Sequence, residues 1–470
     1  MSKLTRRHFL QTTAAAVPVL AAGPSFWEWQ SAMADPWARA DAILESTVVP
    51  TFAARDFDVT KYGAVGDGKA SCTDAIRQAI DACAAAGGGR VVVPDGRFLT
   101  GAVRLKSNVN LYLTPKATLA FSADHREYPI VFTRWEGVEL MNFSPFIYAF
   151  EVQNVAVTGS GTLDGQADAE HWWNWRLAST GNTGRDRAAR NRLIEMQSKG
   201  VPVAERVFGP ADYLRPNFIQ PYRSRNILIE GVTVVNSPMW EIHPVLCESV
   251  TVRNVTIRSH GPNNDGCDPE SCRNVVIEGC TFDTGDDCIA LKSGRNDDGR
   301  RLNVPIENVV IRNCTMKDGH GGVVIGSEIS GGARNVFAEK CAMDSPQLDR
   351  ALRIKTNAVR GGVIDGIYMR NITVGEVAEA VVTINFFYEE GEAGKYMPVV
   401  RNVDVRNVTS RKSQHALLLR GFKNAPISGV RIQDCVFDGV EKDDVLENVK
   451  GVELKNVKVN GKVRNDVISR

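Results

Sequence analysis

The chain has 470 residues, 43% of them apolar and 24% charged, proportions that exclude a disordered or fibrous protein. Lysine and arginine total 56 against 55 aspartate and glutamate, so the net charge is +1 and there is no basic footprint for nucleic acid. Ten cysteines are too few for a disulfide scaffold, and 41 glycines favour a turn-rich fold.

Residues 1–34 read as an export address. Arg6-Arg7 precedes a weakly apolar stretch from Thr12 to Ala22, and Ala32-Met33-Ala34 has the small-x-small form of a cleavage site, a twin-arginine pattern. The plain alternative is a basic tail before an ordinary helix. The apolar run is too short and alanine-rich to span a bilayer, and no later segment reaches the roughly 18 apolar residues a span needs. The expectation is a bacterial protein, periplasmic or secreted, whose mature part is residues 35–470, near-neutral and without a membrane partner.

Thr73 to Ala86 predicts a helix, with Thr73 as candidate N-cap and Ala75, Ile76, Ala79, Ile80 and Cys83 on one face. Such a helix can cap the open end of a stack of strands. Arg90-Val-Val-Val-Pro-Asp-Gly then begins the strands. Residues 167–225 interrupt the pattern that follows, with Trp172, Trp173, Trp175 and a helix-prone stretch from Arg185 to Lys199. So long an excursion is either functional or an embedded subdomain. Its tryptophans form a sugar-stacking wall or a small local core.

From residue 226 a strand-length motif recurs, starting at Asn226, Ser249, Asn274, Asn308, Asn335, Gly366, Asn402, Gly429 and Gly451, at intervals of 22 to 36 residues. Each copy alternates apolar positions and is bounded by turn residues. A second strand class lies between the copies, at Asp287–Lys292, Gly322–Gly326, Ala351–Lys355, Ala380–Asn385 and Ala416–Arg420. Several strands per coil, repeated at this period, predict an all-β, single-domain, right-handed parallel β-helix with an N-terminal capping helix. Cys280, Cys314, Cys341 and Cys435 each fall six residues into their repeat, which predicts a buried ladder of small hydrophobes. The Asn-x-Thr triplets at Asn254, Asn313, Asn371 and Asn407 fall at strand ends and read as repeat features.

The chemistry concentrates between residues 260 and 360. Asp286 and His320 each lie 12 residues into their repeats, so they share a face one rung apart, about 4.8 Å. Asp265 lies on the rung before, and Arg353 and Lys355 on the rung after. Close carboxylates cannot all ionise easily, so at least one should hold its proton, as a general acid beside a general base requires. Arg353 and Lys355, two apart on a strand, point the same way and suit a carboxylate. Singly, each motif is an ordinary polar turn or strand face. Together, on consecutive rungs, they make a site.

The set Asn263-Asn264-Asp265, Gly285-Asp286-Asp287, Gly319-His320-Gly321 and Arg353-Ile354-Lys355 resembles the family 28 glycoside hydrolases, the polygalacturonases. Tyr62-Gly63-Ala64, Gly161–Gly165 and Asn236-Ser237-Pro238 extend the resemblance over nearly the whole mature chain. The family often has threonine where Asn264 stands, and Arg295–Pro305 lengthens one interval, as in bacterial members, many of which act on chain ends. The resemblance implies a pectin-lyase-like β-helix and inverting hydrolysis of α-1,4-galacturonosyl bonds in pectin. It makes Asp286 the general acid, Asp265 and Asp287 the water-activating carboxylates, and His320 the keeper of the acid's proton. Arg353 and Lys355 would hold the galacturonate carboxylate, Tyr388 and Asn264 would contact substrate, and Trp240 and His243 would line the cleft. The partner is a pectic polysaccharide or oligogalacturonide, the protein a monomer, with no cofactor and no metal.

Other readings are a hydrolase of rhamnogalacturonan or another decorated pectin, a calcium-dependent pectate lyase, and a non-catalytic carbohydrate-binding β-helix. Exo-action is expected, because the excursion at 167–225 and the insert at 295–305 can wall off one end of a groove. Replacing Arg6 and Arg7 together by lysine is expected to stop export, and the exported wild-type chain to start near Asp35. Normal export of the double variant would exclude this leader.

Overall fold

The computed structural model describes residues 35–176 and 184–470, so the export address lies outside the described residues. The chain divides into two units, Met1–Arg39 and Ala40–Arg470. Among its described residues, the first holds the opening turn of a helix that begins at Trp37. The second is a right-handed parallel β-helix, built of strands that pair rung upon rung.

Stacking starts earlier than the sequence suggests. The first strands are Asp56–Asp58 and Asp67–Ser71, ahead of the expected start at Arg90. Their sequences, DFD and DGKAS, are too short and polar to show apolar alternation. Between them and the next coil lies helix α1 (Thr73–Ala85), whose face of Ala75, Ile76, Ala79, Ile80 and Cys83 is buried against the core. Its N-cap is Cys72 rather than Thr73. The Thr73 hydroxyl is engaged elsewhere, accepting the Gly101 backbone N–H at 2.8 Å.

Within the core, Val155, Ile227, Val250, Val275, Val309, Val336, Ile367, Val403 and Val430 stand in one continuous register. Each is almost completely removed from water. The residues that open the sequence repeat, from Asn226 to Gly451, all have left-handed backbones, with φ from 53° to 75°. Only glycine adopts that region freely, and asparagine tolerates it best among the others, which accounts for the recurrent Asn and Gly. Their amides stack as well. Asn226 donates to Asn154 at 2.8 Å, Asn308 to Asn274 at 3.1 Å, and Asn335 to Asn308 at 3.0 Å. Asn254, Asn313, Asn371 and Asn407 are likewise left-handed, so the Asn-x-Thr triplets are a backbone requirement. All ten cysteines are free and buried, and Cys280, Cys314 and Cys341 lie in the apolar core.

The second strand class forms a separate parallel sheet of six strands: β1 (Ile289–Leu291), β2 (Val323–Ile325), β3 (Arg350–Lys355), β4 (Ala380–Asn385), β5 (His415–Arg420) and β6 (Val445–Glu447). Ile289, Val323, Leu352, Val382 and Leu417 point into the core. Alternation therefore sends Arg353 and Lys355 outward.

The excursion leaves after Thr162–Asp164, forms helix α2 (Arg187–Ser198), and rejoins the stack at Ile219–Tyr222. Its tryptophans pack onto the main apolar core and form neither a sugar wall nor a separate local core. Trp172 is 2% exposed and packs on Tyr128, Phe146 and Trp175, with ring centroids 5.6, 5.8 and 4.9 Å away. The insert at 295–305 folds as helix α3 (Asn296–Leu302). Between the two lies the antiparallel hairpin Ile130–Trp135/Val138–Phe143. Its two-residue turn has φ of 42° at Glu136 and 80° at Gly137, and a Cβ at Gly137 would lie 2.7 Å from the Arg295 backbone nitrogen. Among the described residues, no helix is long and apolar enough to cross a membrane.

Candidate active site

The carboxylates sit where consecutive turns are bonded rung to rung. The Asp286 N–H donates to Asn264 O at 3.2 Å, Gly266 N–H to Asp287 O at 3.0 Å, and His320 N–H to Asp286 O at 3.1 Å. Asp265, Asp286 and Asp287 each bring an oxygen within 4.8 Å of the others. The His320 ring nitrogen Nδ1 lies 2.9 Å from Asp286 Oδ1. The side chain of Asp286 is 18% exposed and that of His320 52%, whereas Asp265 and Asp287 are buried.

The three carboxylates have different electrostatic surroundings. Asp287 is fully buried, which disfavours its charge, but Lys355 donates to its Oδ2 at 2.6 Å and Arg353 to its Oδ1 at 3.2 Å. These cations more than offset burial and hold its pKa far below the usual carboxylate range. Asp265 goes the other way. Burial, then the charge of Asp286, pushes its carboxyl well above the normal value, although Lys292 Nζ lies 3.6 Å away. The His320 pKa is raised, chiefly by its bond to Asp286.

Tyr388 stands beside the cations, its ring centre 5.7 Å from the Arg353 guanidinium carbon and 5.2 Å from Lys355 Nζ. Three other expected contacts are displaced from the substrate surface. Asn264 is fully buried, where its Oδ1 accepts from Gly261 N–H and Ser259 Oγ, and its Nδ2 donates to the Ser237 and Met239 carbonyls. It shapes the turn that presents Asp265. His243 is also fully buried, with Nε2 2.8 Å from Glu270 and Nδ1 3.0 Å from both Asn217 and Gln220. Burial depresses its pKa, and a ring with no free face cannot line a cleft. Trp240 is 3% exposed and supports Lys292, whose Nζ lies 4.2 Å above its ring.

Lys292 and its neighbours were not legible as site residues. Lys292 Nζ reaches Glu328 at 3.3 Å, and Glu328 reaches Arg295 at 3.4 Å. Arg295 pairs with Glu136 at 2.9 Å and Glu389 at 3.2 Å. Arg190 on α2 pairs with the same two glutamates at 2.7 and 3.3 Å, and Arg360 with Glu389 at 2.5 Å. The excursion, the hairpin turn, the approach to α3 and the turns after β2, β3 and β4 are thus knotted beside the carboxylates. One signal was available for Lys292: it closes its strand as Lys355 closes β3.

This fold is matched by known proteins. Residues 212–460 match the family model described as glycosyl hydrolases family 28, and the chain belongs to that family. It is therefore a glycoside hydrolase. It resembles the crystal structure of a hyperthermoactive exopolygalacturonase from Thermotoga maritima at 43% identity and TM-score 0.89, over 92% of this chain and 98% of that one. It is 27% identical to the exo-poly-alpha-D-galacturonosidase of Dickeya chrysanthemi, over 88% of this chain and 76% of that protein. It is 26% identical to the endo-polygalacturonase of Pectobacterium carotovorum subsp. carotovorum, over 73% and 78%.

Beside Asp265, Glu241 is fully buried, and burial, then the Asp265 charge, raises its pKa well above normal. A carboxyl with a raised folded value contributes stability below its unfolded value, about 4.3, and loses that contribution as pH rises towards the folded value. Glu241→Gln keeps the neutral form, so its Tm is expected to gain on wild type between about pH 4 and pH 7. Thermal unfolding across that range checks this. An equal loss of Tm at both ends would show that Glu241 is not held neutral.

Proposed function

We propose that the chain hydrolyses α-1,4-galacturonosyl bonds at the ends of galacturonan chains, with inversion, after export from the cell. The observation that carries this reading is the buried Asp287 carboxylate clamped between Arg353 and Lys355 beside Asp265 and Asp286. The likeness to the Thermotoga and Dickeya enzymes supports both the substrate and the mode of cutting.

Asp286 is the acid. It is the most exposed of the three carboxylates, and His320 beside it shares and orients a proton for the glycosidic oxygen. Asp287, kept ionised by its cations, holds and orients the water, and Asp265, with its higher proton affinity, takes the proton from it. Arg353, Lys355 and Tyr388 receive the uronate carboxylate. Cationic groups so placed prefer a free carboxylate to its methyl ester.

Inversion does not follow from carboxylate spacing. Inverting glycosidases hold their carboxyl groups roughly 6.5–9.5 Å apart and retaining ones about 5–5.5 Å. The oxygens here approach more closely than the inverting span. The nucleophile decides the outcome instead. Both Asp287 oxygens are engaged by cations, and Asp265 is buried with its proton affinity raised. Neither is a free anion able to attack carbon, so water attacks.

On polygalacturonate, short products should accumulate from the outset while viscosity falls slowly. A viscosity collapse at few bonds cut would refute exo-action, and an unsaturated, ultraviolet-absorbing product would show a lyase. Proton NMR of the first-formed product should show the β anomer. Asp286→Asn should lose at least about a hundredfold in kcat and still bind substrate. An initial α anomer would overturn the mechanism.

A further inference from the structure

The six-stranded sheet carries a cationic column that runs beyond the proposed site. In β1 to β6, core residues Leu291, Ile325, Ile354, Ile384, Leu419 and Leu446 stand in register. One residue on, Lys355, Asn385, Arg420 and Glu447 pair in an outward column, and Lys292 and Gly326, which follow the last paired residues of β1 and β2, continue it. Cations therefore recur on alternate rungs, about 9.5 Å apart, with glycine and asparagine between them. Their side-chain exposure rises along the column: 2% at Lys292, 7% at Lys355 and 37% at Arg420. The column is enclosed at Lys292 and reaches solvent at Arg420.

Arg420 has the parts of a sugar-acid subsite. Its guanidinium carbon lies 4.9 Å from the centre of the Phe387 ring. Phe387 is half-buried and shares a turn with Tyr388, and its N–H is fixed by Asn385 Oδ1 at 2.9 Å. The Phe387 ring lies under the guanidinium and holds it in place, leaving its N–H edge to meet a carboxylate. The Arg420 Nε donates to Glu447 at 2.9 Å, but this pair lies at the surface, where ion pairs are weak and exchangeable. Glu447, next in register, ends the column with an anion.

We infer that Arg420 and Phe387 form a further subsite, which binds the carboxylate of a uronate lying beyond the one held by Arg353 and Lys355, on the side where the polymer leaves the enzyme. This rests on the reading of the chain as a galacturonan hydrolase. An enzyme with such a subsite distinguishes substrates by length: a dimer ends at Lys355, whereas longer chains reach Arg420.

The test is steady-state kinetics on galacturonate oligomers from dimer to pentamer. Arg420→Ala should leave the dimer within twofold of wild type, which also reports intact folding. On the longest oligomers KM should rise about tenfold at unchanged kcat. Glu447→Gln, which frees the guanidinium, should lower KM on the same oligomers. Equal losses on all lengths, or no loss on any, would overturn the subsite. Calorimetric titration of the same oligomers into Asp286→Asn, with and without Arg420→Ala, reads the subsite without turnover. If wild type cleaves no galacturonan, the functional reading fails. If affinity for long oligomers is the same with and without Arg420, the subsite fails.

Discussion

Parallel pairing fixes neighbouring strands about 4.8 Å apart, and in a stacked coil this spacing turns sequence offset into position. Everything at the site depends on it. Asp286 and His320 are 34 residues apart in the chain, yet their side chains are within hydrogen-bond distance because their rungs are adjacent. Asp287 meets Lys355 across 68 residues and two rungs, its side chain passing the small Gly321 on the rung between. The spacing is enforced from within by the apolar register and at the corners by left-handed asparagines whose amides bond between coils. A coil that slipped by one residue would turn its core residues outward and bring its outward residues into the core.

That rule also explains what the sequence disclosed. The repeat, the capping helix face and the catalytic rungs are readable because they obey one period. Asp286, His320, Arg353 and Lys355 needed only their offsets to be placed together. Features outside the period were illegible. Trp240 and His243 look like exposed aromatic positions, but whether such a ring faces water depends on what covers it. Arg134 and Glu270, paired at 2.9 Å beside His243, come from a hairpin and a coil that no local pattern connects. The network of Glu136, Arg190, Arg295 and Glu389 joins four separate segments, so its partners cannot be read from neighbouring residues. Asn264 stands in a motif that marks chemistry, although its side chain satisfies four buried backbone and hydroxyl groups.

Burying so many charges is expensive unless each finds a partner. The site's arrangement follows from this. Asp287 and Glu328 lie among cations, and their pKa values fall although burial opposes it. Glu241, Asp265 and Asp268 lie among one another, and theirs rise. Lys292 stands between the two groups, held positive by Asp268, Glu328 and Asp265 against its own burial. A site that needs one carboxylate as an anion and another near neutrality obtains both from the distribution of cations, with no difference in the acids themselves.

The same distribution gives the cleft a direction. At Lys292 the cation is enclosed, because Glu328, Arg295 and the loops knotted to them cover it. Along the sheet the cover ends with Glu389 and Glu390, which bind Arg360, and past this point Arg420 is open to solvent. A polyanion drawn along the column can advance only until it meets the closed end. On the proposed reading the chemistry lies at that end, since Asp287 stands on the same rung as Lys292 and within the reach of Lys355. Depth, and not sequence within the polymer, would then decide which bond is presented to Asp286. An open groove with the same three aspartates would hold any bond along the chain, so on that reading the mode of cutting resides in the ion pairs of the wall and the reaction in the rungs beneath it.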